Sequence, residues 1–168
     1  MGRIISTDGI KPDKEHLKKA LDLKRPESRK EIQSLMGFFN FFRDFLAKFL
    51  QKALFLTDEL QSEQITWSEE DELKLNDLKN ELLNELVLQP YNASEELTIE
   101  TDASQRAVAA IVTQNGRPVY FLSKKLTNAQ SNWSNIEREA YGIYWAVTKL
   151  RHFLLSRKFS IKTDHRPL

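Results

Sequence analysis

Two hydrophobic periods divide this chain. Upstream of residue 87 the apolar residues recur at steps of three and four, the spacing of one face of an α-helix; from Leu97 onwards they alternate, as along a strand. Residues 1–12 read as an extended lead-in that ends at Lys11-Pro12. Asp13 then offers a cap for a helix over 14–24, and Pro26 breaks the chain. Ser28, with Glu31 three residues on, has capping-box spacing. It opens an amphipathic helix whose stripe is Ile32, Leu35, Phe39, Phe42, Leu46 and Phe49. Phe38, Phe41 and Phe45 widen that stripe, which predicts cover on more than one side. Packed core is the simplest reading of these rings, and aromatic platforms for nucleic acid are the alternative. Residues 51–60 continue as a short helix or irregular turn, and Gln61 to Gln64 form a polar break. Ser68 and Asp71 stand at cap spacing before a further helix, with Leu75, Leu78, Leu82, Leu83 and Leu86 on its apolar face.

The stretch from Leu88 to Glu96 contains Gln89-Pro90-Tyr91-Asn92 and reads as a loop at a domain boundary. Beyond it, Leu97 to Asp102, Ala107 to Thr113 and Pro118 to Ser123 predict three strands. Asn115-Gly116 between the second and third is a hairpin turn signal, so the three form an antiparallel meander. Ser134 and Glu137, again at cap spacing, start a long helix to about Leu155 with Ile136, Ala140, Ile143, Val147, Leu150 and Leu154 as its buried stripe. A last strand, Arg157 to Thr163, is reached by that crossover helix and is therefore parallel to one already placed. The fold class expected is α+β: a helical region over 1–90, then a mixed sheet with a crossover helix over 91–168.

Composition adds bounds. The chain has 168 residues, 40% hydrophobic and 29% charged, which suits a globular protein of one domain or two small ones. No apolar run is long enough to span a membrane, and none reads as a signal peptide. Cysteine is absent, which excludes disulfides, cysteine–zinc sites and thiol nucleophiles and fits a reducing compartment. The net charge of +1 conceals a division. Residues 1–50 carry 11 basic and 7 acidic groups, a net +4; residues 51–101 carry 3 and 13, a net −10; residues 102–168 carry 11 and 4, a net +7. A basic C-terminal third is what a phosphate backbone would seek, although a solvated lysine-rich surface has the same composition.

Candidate chemistry starts from a repeat. Leu97-Thr98-Ile99-Glu100-Thr101-Asp102 and Phe159-Ser160-Ile161-Lys162-Thr163-Asp164 share one pattern. If the two lie parallel and adjacent, both aspartates emerge at the same strand end and on the same face. Their charges then repel unless a cation such as Mg2+ lies between them. The competing reading is that each aspartate merely begins a turn. Glu139 lies one turn into the long helix with Ile143, Ala146 and Leu150 on its own side, so it faces the sheet. It either joins a metal site or forms a salt bridge to a lysine or arginine. Glu137 is explained as a cap partner. Asp102, Glu139 and Asp164 together form a set of oxygen donors suited to Mg2+ or Mn2+, and two such ions can hydrolyse a phosphodiester. His165 is either a proton shuttle or substrate contact, or a solvated turn residue. No serine–histidine–acid arrangement and no Gly-rich phosphate loop is evident.

The stretches TDASQRAVAAIVTQN at 101–115, FLSKKL at 121–126, NWSNIEREAYGI at 132–143, LRHFL at 150–154 and KFSIKTDHRPL at 158–168 resemble the RNase H domain of Ty3/gypsy-type (LTR) retrotransposon reverse transcriptases. Upstream, residues 9–45, ITWSEEDELKLNDLKNEL at 65–82 and LQPYN at 88–92 resemble the thumb and connection region of the same polyprotein. The resemblance implies a mixed sheet flanked by helices and endonucleolytic cleavage of RNA in an RNA–DNA hybrid with two divalent metals. It implies Asp102, Glu139 and Asp164 as catalytic and metal-binding carboxylates. It implies a thumb that grips a primer–template duplex, with Lys30 and Arg43 as basic candidates, and a cytoplasmic, virus-like-particle or nuclear location.

The sequence departs from the family pattern at several places. Alanines stand at Ala107 and Ala109 where glycines are usual, Trp133 replaces a common tyrosine, and Ala53-Leu54 replaces a Pro-Leu. The family's fourth acid and the elements beyond the third are expected to be missing, and no polymerase fingers or palm is recognisable. Two functions follow. One is a metal-dependent nuclease. The other is a non-catalytic module, remnant or domesticated, that binds nucleic acid or protein and self-associates, with a homodimer through an open sheet edge.

Overall fold

The computed structural model describes residues 2–84 and 87–164, the side chains of 19–21 excepted. The chain divides into two compact units, one of Met1–Leu46 and Lys52–Val87, the other of Ala47–Gln51 and Leu88–Leu168. In the first, strands β1 (Arg3–Ser6) and β2 (Gly9–Pro12) pair antiparallel, so the extended lead-in is a hairpin. Helix α1 (Lys14–Leu21) follows, capped by Asp13, whose Oδ1 accepts from the Glu15 N–H at 3.0 Å. It stops short of the predicted residue 24, since Pro26 disfavours helical backbone before it. Helix α2 (Arg29–Phe41) starts at Ser28, whose hydroxyl accepts from the Glu31 N–H. The return bond of the predicted capping box goes elsewhere: Glu31 Oε2 accepts from the Glu27 N–H at 2.7 Å.

The phenylalanine-rich helix does not run unbroken to Phe49. After Phe41 the bonds tighten to i→i+3, with Phe42 N to Phe39 O, Phe45 N to Phe42 O and Leu46 N to Arg43 O. Three residues per turn bring positions three apart into line. Phe39, Phe42 and Phe45 therefore all turn inward and are buried, while Phe41 stays exposed. The reading of the rings as core holds for these three and for Phe49, and the expected single helix is replaced by α2, this 3-10 turn (Arg43–Phe45) and the short helix α3 (Phe49–Lys52). Helix α4 (Leu54–Gln61) packs on α2, and α5 (Glu69–Leu83) packs on α1. A reciprocal capping box between Ser68 and Asp71 opens α5, whose Leu75, Leu78 and Leu82 are buried. Leu86 of the predicted face lies outside the described residues.

The second unit is built on a four-stranded sheet with order β5-β4-β3-β6. Strands β3 (Leu97–Ala103), β4 (Ala107–Gln114) and β5 (Arg117–Lys125) form the expected antiparallel meander. Asn115 and Gly116 both take positive φ at the hairpin, as the Asn-Gly signal requires. Strand β6 (Phe159–Thr163) pairs parallel with β3 in a register that sets Leu97 against Phe159 and Thr101 against Thr163, residue for residue as in the sequence repeat. Leu97, Ile99, Val108, Ala110 and Val112 on one face form a core with Trp145, Ala146, Leu150 and Leu154 of the covering helices. Among the described residues no helix is long and apolar enough to cross a membrane.

Helix α6 (Asn128–Ser131) precedes the long helix α7 (Asn135–Lys149), and α8 (Arg151–Leu154) follows after a break at Leu150. The buried face of α7 differs from the predicted stripe. Ile136 and Ala140 are exposed; Glu139 faces the sheet with Ala146 on its side, as expected, and Gly142 and Trp145 share that inward face. An aliphatic count favoured the branched residues. The bulk of Trp145 decides the rotation, because a large ring releases most free energy when removed from water. Gly142 faces Val108 of β4: a Cβ placed there would stand 3.7 Å from Val108 Cγ1, an ordinary packing distance.

At the start of α7 the Ser134 hydroxyl accepts from the Glu137 N–H, and Glu137 Oε2 accepts from both the hydroxyl and the N–H of Ser134 at 2.7 Å. These bonds, the Ser134 hydroxyl first and its backbone N–H second, hold the Glu137 carboxyl below the usual glutamate range. A carboxyl lowered in the folded state stabilises the fold above its unfolded pKa, and that contribution disappears as pH falls through the lowered folded value. In Ser134→Ala the Glu137 midpoint, followed by carboxyl-carbon NMR, should rise towards the ordinary value, and the α7 amides should lose hydrogen-exchange protection. Ile99 is wholly buried on the central strand β3. Ile99→Ala should lower stability to urea by about 2–5 kcal/mol, the usual range for truncating a core isoleucine.

Candidate metal centre

Two strand ends and one helix supply the site. Asp102 stands near the C-terminal end of β3, opposite Ala109 of β4. The tight turn just beyond it is held by Ser104, whose N–H and hydroxyl donate to Ala107 O at 2.8 and 3.0 Å while its Oγ accepts from the Ala107 N–H. Asp164 follows β6 directly. Because the parallel register matches Thr101 with Thr163, the residues after each are carried to the same end of the sheet.

Glu139 is only 3% exposed and comes from α7, the helix that covers the apolar face. Its carboxylate nevertheless meets those of the aspartates: one oxygen from each of Asp102, Glu139 and Asp164 lies within 4.8 Å of the others. The three side chains grade from buried Glu139 through half-buried Asp102 to exposed Asp164. All three donors are hard anionic oxygens with no nitrogen or sulfur among them, the chemistry that selects Mg2+, Mn2+ or Ca2+ over zinc or copper. Oxygens around one Mg2+ at about 2.1 Å lie roughly 3–4 Å apart. The observed spacing therefore needs only side-chain adjustment to fit one ion or a closely spaced pair.

A cleft of about 320 Å³ opens over the aspartates, lined by Glu100, Asp102, Ala109, Ile111, Lys162 and Asp164 together with Lys48 and two threonines. Ala109, one of the alanines where glycine is usual, lines the floor of the cleft opposite Asp102 on the neighbouring strand; it and Ala107 are both buried. Two lysines in the cleft escaped the sequence reading. Lys162 contacts Glu100 across the β3–β6 pair at 3.4 Å, and its strand parity with Asp164 could have revealed it. Lys48 pairs with Asp102 Oδ2 at 2.9 Å. It lies 54 positions upstream by number, where no local pattern could have found it. Of the remaining candidates, Lys30 is exposed on α2 and Arg43 half-buried in the 3-10 turn, both in the N-terminal unit. His165 lies outside the described residues.

An aromatic group forms between Trp133, just ahead of α7, and two tyrosines of that helix. Trp133 meets Tyr141 edge-on at 5.5 Å, and Tyr144 follows at 6.4 Å. The Lys124 ammonium donates to the Tyr141 hydroxyl and lies over its ring, and this hydrogen bond lowers the Tyr141 pKa against the opposing effect of burial. Trp133 at the usual tyrosine position thus keeps an aromatic contact.

Comparison with known proteins accords with this geometry. Residues 67–161 match the family described as the RNase H-like domain found in reverse transcriptase. The whole chain aligns at 32% identity with the Pol polyprotein of transposon 297 and at 31% with that of transposon gypsy, both from Drosophila melanogaster, of which it spans 16% and 18%. It aligns at 32% with the Tf2-3 polyprotein of Schizosaccharomyces pombe, spanning 13% of it. The chain therefore spans less than a fifth of the length of these curated relatives. Among solved structures, the foamy viral protease-reverse transcriptase in complex with an RNA/DNA hybrid superposes over 98% of this chain and 23% of its own, with a TM-score of 0.80 at 22% identity. The same protein with dsDNA gives 0.80 over 99% of this chain and 36% of its own, again at 22% identity. At such identity these two establish the shared fold. The chain belongs to the RNase H-like domain family of reverse transcriptases, among the Pol polyproteins of Ty3/gypsy-type LTR retrotransposons.

Proposed function

We propose that this chain is the RNase H region of a retrotransposon reverse transcriptase, joined to helical thumb and connection elements, and that it cuts the RNA strand of an RNA–DNA hybrid. The observation that carries the reading is the meeting of Asp102, Glu139 and Asp164 within 4.8 Å at one sheet end. These three would hold Mg2+ or Mn2+, with two ions expected from the family chemistry. Such a pair supplies a nucleophilic water at neutral pH and charge stabilisation for the leaving oxygen of a phosphodiester. The protein's own part is to keep three mutually repelling carboxylates together. Strand pairing fixes Asp102 and Asp164, and burial on α7 restricts Glu139 to few rotamers. The exposed cleft leaves room on the Asp102–Asp164 side for a sugar–phosphate chain.

Charge favours the same substrate. The net +7 of residues 102–168 attracts a polyanion towards a site whose own acids would repel it. Foamy viral reverse transcriptase, which shares the fold, is seen with both an RNA/DNA hybrid and dsDNA, and a duplex is the partner inferred for this chain. Lys30 and Arg43 remain proposed contacts to that duplex from the thumb elements.

The test is a labelled RNA–DNA hybrid incubated with the chain and Mg2+ or Mn2+, beside Asp102→Asn and beside a sample with excess chelator. Cleavage should fall more than about 100-fold in the variant, since losing even an outer-shell partner of a metal ligand costs 10–100-fold, and should cease with the chelator. Equal cleavage by wild type and variant, or none by either, would refute the nuclease reading; metal-independent binding of the hybrid alone would leave the non-catalytic module.

A further inference from the structure

We infer that Lys48 is a built-in counter-ion of Asp102 that a divalent ion must displace to occupy the carboxylate centre. This rests on the metal-binding reading of that centre and adds to it a residue from outside the sheet. The Lys48 ammonium stands 2.9 Å from Asp102 Oδ2, in the cleft that Asp102 and Asp164 line. Its arrival there is built. The segment Ala47–Gln51 belongs to the compact unit of the sheet although it precedes α4 and α5 in the chain. Gln51 Nε2 donates to Ala107 O at 3.4 Å, beside the turn that follows Asp102. Lys48 itself adopts a φ of +55°, a left-handed backbone that a residue with a Cβ enters at a cost. Glycine would take the same backbone without that cost.

The consequence is competition. One cation already neutralises part of the repulsion between the acids, and the carboxylate oxygen it contacts is one an incoming ion would need. The two side chains are 41% and 30% exposed, so the pair is of the weakly stabilising, solvent-screened kind. Releasing such a pair corresponds to about a two- to five-fold change in an equilibrium constant. A lysine of this strength neutralises the centre without closing it.

Mn2+ binding to the full chain, read by loss of the free-ion EPR signal at fixed pH and ionic strength, tests this without reference to activity. Lys48→Met should bind Mn2+ about two- to five-fold more tightly than wild type, and Lys48→Arg should bind as wild type does. In an Asp102→Asn background, Lys48→Met should change nothing, which separates competition at Asp102 from a general charge effect. Circular dichroism establishes that each variant is folded. Unchanged or weaker binding by folded Lys48→Met, while Asp102→Asn lowers affinity, overturns the counter-ion role and leaves the metal centre standing. Absence of Mn2+ binding in both wild type and Lys48→Met overturns the metal centre and this inference together.

Discussion

The parallel pairing of β3 with β6 is the constraint on which the rest of the C-terminal unit depends. Two strands that close an antiparallel meander would place their ends at opposite edges of the site; a parallel pair places them together. The register sets Leu97 against Phe159, which packs on the core, and Ile99 against Ile161, which is exposed. A slip by one residue would exchange the two faces of β6 and carry Asp164 away from Asp102's side. Backbone pairing of the two strands, with Phe159 seated on the core, therefore holds like charges together. The crossover through α7 is what makes the pairing parallel, so the helix that supplies Glu139 is also the connection that brings the aspartates side by side.

Helix α7 answers to two demands. Its first turn is closed by the Ser134–Glu137 box, which satisfies backbone N–H groups that would otherwise face solvent. Its body is rotated so that Trp145 and Ala146 reach the sheet core. That rotation brings Glu139 inward with them, since residues 139, 142, 145 and 146 share a face. Burying a carboxylate is costly unless its charge is matched, and the two aspartates nearby deepen that cost. The packing of the core and the chemistry of the site are thus set by one helical angle, and a change that turned the helix would alter both.

A second source of charge enters from upstream. The short segment 47–51 joins the sheet unit and delivers Lys48 to Asp102, while Lys162 on β6 faces Glu100. The cleft is consequently a mixed field of acids and lysines rather than a bare acidic hollow. Such a field is compatible with holding small cations and with admitting a phosphate chain, and the balance between the two depends on which lysines are engaged.

Much of this was legible in the sequence because the relevant signals are local. Capping residues before α5 and α7, the Asn-Gly turn and the period-two strands each follow from interactions within a few residues. The repeat ending in Asp102 and Asp164 was readable for the same reason, as a parity pattern on two short strands. What the tertiary structure alone decided depends on partners distant in the chain. The rotation of α7 puts Trp145 in the sheet core, so Ile136 and Ala140 are exposed although their spacing suggested a core. The break after Phe41 brings Phe45 into line with Phe39 and Phe42, where a continuous helix would have set it at the edge of their stripe. Lys48 reaches Asp102 across 54 positions, with no period or motif to announce it, because an ion pair requires only that two opposite charges meet in space.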